Sequence, residues 1–472
     1  MHGSTADLRG ESSPPADRAA DPRNGTIAPA LAGDPTVVRE RLHRVLPARV
    51  ARLRALAPVF LALVACAAHA ALVPVRRVEV LGEPAREPML VEAPDGTLYV
   101  SGYAGGVHQN DTGTTQTVPR LWRSTDGGAT WGAVDVGNEA SGAFGNSDVA
   151  LAVAQDGTVY FATMGYDRKA EAGTHVTVGV DRHDGAGWQW TMLARQRFDD
   201  RPWVGVAPDG AAHVVWNDGA GVRHAASRDR GRTWSTPDTV HAAGGSSHFA
   251  IGPHGELAVR VTPVSAGGSK YAAGVDLVLV SRDGGATWQS RTVPGQRHWA
   301  PVEGVTPRWV EPLAFDAQGS LYLLWTEASR VWLARSRDLG ATWTSWPIAN
   351  APGDDLAYFP YLVARGRGEL AATWYSGAAE TLCWNVAAIR VDGHGGRPRV
   401  DLAKAQAADS FGPSDLPQEL PRVQRPAGEY VPVTFLRDGG IAVAAPIQDA
   451  QNHRYGFSFW RFSTLRASSA ER

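Results

Sequence analysis

The sequence predicts an all-β fold, a β-propeller of four-stranded blades, and three observations carry that prediction. A phrase S-x-D-x-G-x-T-W stands four times, as "STDGGATW" from Ser124, "SRDRGRTW" from Ser227, "SRDGGATW" from Ser281 and "SRDLGATW" from Ser336. Seven apolar hairpins, each folded at a D-G-like turn, are spread between Arg86 and Ala445. The 472 residues include 52 glycines and 17 tryptophans but only 4 methionines, a balance that suits tight turns and aromatic packing. A chain of this length exceeds one ordinary core unless the core is an array of repeats.

Residues 1–38 are polar, proline-bearing and without apolar periodicity, and are expected to be a disordered extension. In residues 39–70 an arginine-rich run, "RERLHRVLPARVARLR", precedes the apolar "ALAPVFLALVACAAHA". A basic segment, a short apolar stretch and a small-residue end make an export signal, with an uncleaved anchor as the rival. Two processing sites compete. Ala68-His69-Ala70 fits a signal peptidase, whereas Leu63 to Cys66 resembles a lipoprotein lipobox, which would lipidate Cys66. Export to a secreted, periplasmic or cell-surface location is expected, with membrane contact only through a lipid at Cys66.

From residue 75 to 464 the chain reads as one domain, followed by a disordered tail at 465–472. "VRRVEVLG", Val75 to Gly82, precedes the first hairpin and is assigned to close the ring by completing the last blade. The hairpins then open at Arg86, Ser147, Asp200, Ser247, Val310, Tyr358 and Tyr430. Apolar strand, turn and β-branched strand form a hairpin signature. A third strand and the phrase, or a remnant of it, follow each hairpin up to the sixth; "VDRHDGAGWQW" and "VDGHGGRPRV" are the worn copies. Seven blades are the favoured count, and six is the alternative if one hairpin is an insertion.

The phrase is assigned to the turn between third and fourth strands. Its aspartate and serine can lock a glycine-bearing turn, and its tryptophan can fill space beside the next strand. Asp126, Asp229, Asp283 and Asp338 are therefore structural. A formal charge of −2 gives no basic face for nucleic acid. Histidines and cysteines show no metal-ligand spacing, and no cofactor motif stands in a suitable context, so neither metal nor cofactor is expected. Cys383 reads as a small buried hydrophobe.

Chemistry is expected on the face away from these turns, where the innermost strands begin. Arg86, Glu87, Asp148, Asp200, Arg201, His248, Glu311, Tyr358, Glu429 and Tyr430 converge there. Polar groups meeting in a concave mouth are a binding-site signal. Two long connections, Gly102 to Arg120 and Thr262 to Gly274, also belong to this face.

The four phrases resemble the Asp-boxes, or BNR repeats, of the sialidase superfamily. That resemblance implies a propeller fold and an exo-glycosidase activity on a carboxylate-bearing sugar. It implies that Arg86 in "AREPML" grips the substrate carboxylate; Arg201, from the ring of strand starts, is the second candidate for that grip. It further implies Asp111 in "HQNDTG" as acid/base, and Tyr358 in "LAYFPYLV" as nucleophile activated by Glu311 in "RWVEPLAF". Glu87, Asp148, His248 and Tyr430 would line the sugar site. The chain departs from the family where an arginine should end the strand "LYLLWTEA", in lacking a recognisable third arginine, and in counting seven blades rather than six. Two further readings stay open: a lyase acting on uronate glycans through His248 and a tyrosine, and a non-catalytic propeller that binds glycan or protein at the cell surface.

Overall fold

The computed structural model describes residues 72–464 except 105–117, 168, 171, 264–274, 296–309, 352–354, 379–380, 394–395, 408–409, 414–423, 427 and 450–451. The extension, the export signal with Cys66, and Asp111 all lie outside the described residues.

Seven four-stranded antiparallel sheets follow one another around a ring. Blade one opens at Arg86–Glu92, blade two at Ser147–Val153, blade three at Asp199–Val206 and blade four at Gly245–Ile251. Blades five, six and seven open at Leu313–Phe315, Leu356–Arg365 and Val433–Phe435. Each opening strand is innermost and touches the opening strand of the next blade, and blade seven touches blade one. The ring closes as its sequence pattern predicts. Leu72–Leu81 runs antiparallel to Arg454–Thr464, so the first strand in sequence completes the last blade. A small hairpin of Ser410–Pro413 and Gln424–Pro426 stands outside the blades.

Core packing lies between blades rather than in one central mass, in clusters such as Val178, Val214 and Trp216 between blades two and three. The four repeated turns share one hydrogen-bond network. At Asp283 the Oδ1 accepts from Ser281 Oγ at 2.7 Å and from Thr287 N–H at 2.9 Å. Its Oδ2 accepts from Thr287 Oγ1 at 2.5 Å, and Ser281 Oγ accepts from Gly285 N–H at 2.9 Å. Equivalent bonds form at Asp126, Asp229 and Asp338. So many donors hold these carboxyls down, at about 2 for Asp229, Asp283 and Asp338, with the threonine hydroxyl the largest cause. Glycine at the fifth position is obligatory: Gly285 has φ +93°, and a Cβ there would stand 2.4 Å from the His224 ring of the preceding blade. These aspartates are consumed by their own turns, on the face away from the mouth.

Candidate functional site

Five innermost strands begin with a residue followed directly by proline: Glu87-Pro88, Arg201-Pro202, Glu311-Pro312, Phe359-Pro360 and Val431-Pro432. The ladder slips at this point in blades one, three and six. Glu87, Arg201 and Phe359 hold left-handed backbone there, at φ 42°, 51° and 50°. Side-chain-bearing residues rarely adopt that conformation, and such strain collects at functional sites. The bulge turns these side chains out of the strand alternation, so that Glu87 and Arg201 join the charged group at the mouth of the channel.

That group is a carboxylate set built around one arginine. Arg201 Nη2 is 2.6 Å from Glu429 Oε2, and its Nε is 3.8 Å from Asp148 Oδ2. Glu87 is buried, accepts from the Glu429 backbone N–H at 3.2 Å, and lies beside Asp148 and Tyr103. Burial is the largest cause pushing Glu87 well above the usual carboxylate range, and the charges of Asp148 and Glu429 add to it. Asp200 is pushed up to about 7, first by burial and then by Asp148. Burial opposes the Arg201 charge, but Glu429, Asp148 and Asp200 outweigh it and hold the guanidinium above its ordinary value. Arg201, Asp148 and Glu429 remain partly open to solvent, at 17, 15 and 18 %.

Beneath the mouth, aromatic side chains fill the channel. Trp203 lies 4.6 Å from His248 and 6.0 Å from Tyr430, and Tyr361 lies 5.5 Å from His248 and 5.8 Å from Tyr430. This floor keeps water from the underside of the carboxylates, which is the physical source of their raised values. It also buries His248, pushing the imidazole down to about 3, so the ring is neutral at working pH. His248 Nε2 and Trp203 Nε1 find no partner among the described residues.

The residues expected from sequence thus divide. Glu87, Asp148 and Arg201 meet at the mouth, with Tyr430 directly beneath them and Arg86 beside them, 5.5 Å over the Tyr103 ring. His248 lies in the channel floor. Glu311 belongs to a second buried group: with Asp276 it flanks Arg260, its N–H donates to Ser247 Oγ at 2.7 Å, and all three charges are nearly inaccessible. Tyr358 is fully buried in the wall between blades six and seven, stacked 5.9 Å from Tyr375 and beside Phe359. Cys383 is half-buried. Sequence reading did not single out Tyr103, Trp203, Tyr361, Arg260 or Asp276; the recurring residue-proline pair was the available pointer to the bulges. Among the described residues no group of three histidine, cysteine or acidic side chains is arranged to hold a metal ion.

No protein-family model matches the chain, and no curated protein matches it. Solved structures are similar in part. An alpha-L-arabinanase of Penicillium chrysogenum complexed with arabinobiose is 14% identical over 70% of this chain and 98% of its own, with TM-score 0.42. A Trypanosoma rangeli sialidase is 14% identical over 83% of this chain and 59% of its own, with TM-score 0.43. YCF48 from Cyanidioschyzon merolae is 11% identical over 83% and 99%, with TM-score 0.47. At these values no residue role, ligand or activity is carried across.

Proposed function

We propose that this chain is a glycan-acting propeller, a glycoside hydrolase whose reacting groups are the mouth carboxylates. The observation that carries the reading is the convergence of Glu87, Asp148, Asp200 and Glu429 on Arg201, with Asp200 held near 7. Hydrolysis of a glycosidic bond needs one carboxyl that keeps its proton and one that has lost it. Asp200 is suited to donate a proton to the leaving oxygen. Asp148, reachable from solvent and beside Arg201, is suited to serve as the ionised partner. An incoming sugar carboxylate would meet Asp148 and Glu429, which already occupy Arg201, so the mouth suits an uncharged sugar better than an anionic one.

The test is release of reducing ends or fluorophore from a panel of neutral and sialylated glycosides by the full chain. Turnover is expected on a neutral substrate, falling at least about a hundredfold in Asp200→Asn and in Asp148→Asn. Turnover should also fall as pH rises through 7, because the donor then loses its proton. Absence of turnover on every substrate, or full activity in both variants, would overturn the reading. Pure binding is the second reading, favoured by the tight Arg201–Glu429 pair, which neutralises part of the mouth without a ligand.

A further inference from the structure

Two clefts open on the face that carries the repeated turns, one on each side of blade six. Their cause lies in the repeats. Where a turn is intact, its tryptophan wedges against the preceding blade: Trp131 lies 5.3 Å from Phe457 and 5.2 Å from Phe459 of blade seven. Trp288 packs on His224 of blade three at 5.8 Å, and Trp343 Nε1 donates to Thr292 O of blade four at 3.0 Å. Even the worn copy of blade two keeps Trp190, whose Nε1 donates to Val136 O at 2.8 Å. Blade six replaces the phrase with "VDGHGGRPRV", and blade seven passes from Arg454–Thr464 to a strand from elsewhere in the chain. Neither supplies a wedge. The gap between blades five and six is a cavity of about 280 Å³, and that between six and seven one of about 1140 Å³.

Arginines line the open wedges. Arg76, Arg365, Arg390, Arg399 and Arg461 face the larger cleft. Arg335, Arg337, Arg367 and again Arg390 face the smaller. Eight arginines thus stand against five carboxylates, and three of those carboxylates are engaged. Asp316 accepts from Tyr322 and from backbone N–H groups, Glu369 is shared by Arg365 and Arg390, and Asp438 holds Arg461. Arg367 and Arg399 are exposed and have no carboxylate partner among the described residues. The Arg365 guanidinium carbon lies 4.1 Å from the Phe435 ring centroid in the larger cleft.

We propose that the two clefts form one binding site for an acidic polysaccharide, whose carboxylate or sulfate groups the guanidinium groups hold. Arg390, common to both clefts, is the post around which such a chain passes. Guanidinium groups grip planar carboxylates and sulfates with paired hydrogen bonds, and a row of them suits a repeating anion. The choice of a glycan rests on the reading of the mouth; the preference for anions rests on the clefts. Together the two faces describe a polysaccharide with an acidic backbone and uncharged branches, the backbone held in the clefts and the branches offered to the mouth of another molecule.

The experiment measures binding of polygalacturonate and of a sulfated glycan to the full chain at low salt, beside neutral dextran and a single-stranded oligonucleotide. Binding of at least one acidic glycan, weakened at least about tenfold in Arg390→Gln/Arg399→Gln and unchanged in Arg282→Gln, is expected. Melting curves confirm that each variant folds. Lack of binding to either acidic glycan, equal binding by the double variant, or equal affinity for the oligonucleotide would overturn the proposal. Acidic-glycan binding without any turnover on the glycoside panel would overturn the hydrolase reading and leave the cleft site standing.

Discussion

His213 and His224 form a buried pair within blade three, with Nδ1 of one 3.0 Å from Nε2 of the other and rings stacked at 5.2 Å. Burial pushes both down to about 4, and for His213 the neighbouring ring adds to it. Above the unfolded value of about 6.5 both are neutral in either state and pH is without effect. Below it the unfolded chain takes up protons that the folded chain refuses until about 4, so stability is lost across that window. The loss approaches about 1.4 kcal/mol per pH unit for each ring. Melting temperature should therefore fall between pH 6.5 and 5, and His213→Asn with His224→Ala should flatten that slope while lowering the plateau. A slope unchanged by the substitutions would refute the assignment. Gly285 offers a second test: Gly285→Ala combines the wrong φ with a contact into His224 and should lower the unfolding free energy from denaturant titration by more than about 1 kcal/mol, leaving turnover of the folded fraction unaltered.

At the scale of the strand, Leu72–Leu81 matters most. It covers the edge of the last strand from Gly456 to Thr464, and Arg454 reaches Glu79 as an ion pair. A chain beginning at Glu83 should expose a strand edge, melt well below the full chain and associate through that edge, as sedimentation would show; a monomer of unchanged melting point would contradict the closure. This strand, the seven hairpins and the four turns were legible in the sequence because each is written locally, in alternation and turn residues. The carboxylate set was legible only as a ring of strand starts. Which of those side chains meet depends on the bulge before each proline, and on the rotation of each innermost strand about the axis. Glu311 and Glu87 both precede proline, yet one faces Arg260 and the other Asp148. Asp200 and Glu429 carry nothing in their local sequence to rank them above Glu311.

The whole molecule separates its work between two faces. The face with the turns is held together by hydrogen bonds and tryptophan wedges, and where the wedges are missing it becomes basic. The opposite face gathers acids over an aromatic floor. Raising ionic strength should weaken an acidic glycan in the clefts steeply and leave turnover at the mouth nearly unchanged, because only the first depends on unpaired surface charge. Parallel salt titrations of binding and rate would show whether the two faces are independent.

Ring closure also sets the order in which the chain can be finished. Arg454 and Glu79 are 375 residues apart, so during synthesis the closing strand emerges long before its partner exists. Blades one to six can assemble as they leave the ribosome, but the seventh must wait with an open edge at each end of the arc. Contacts this distant make the last step slow, and a ribosome stalled before residue 464 leaves a chain that cannot complete it.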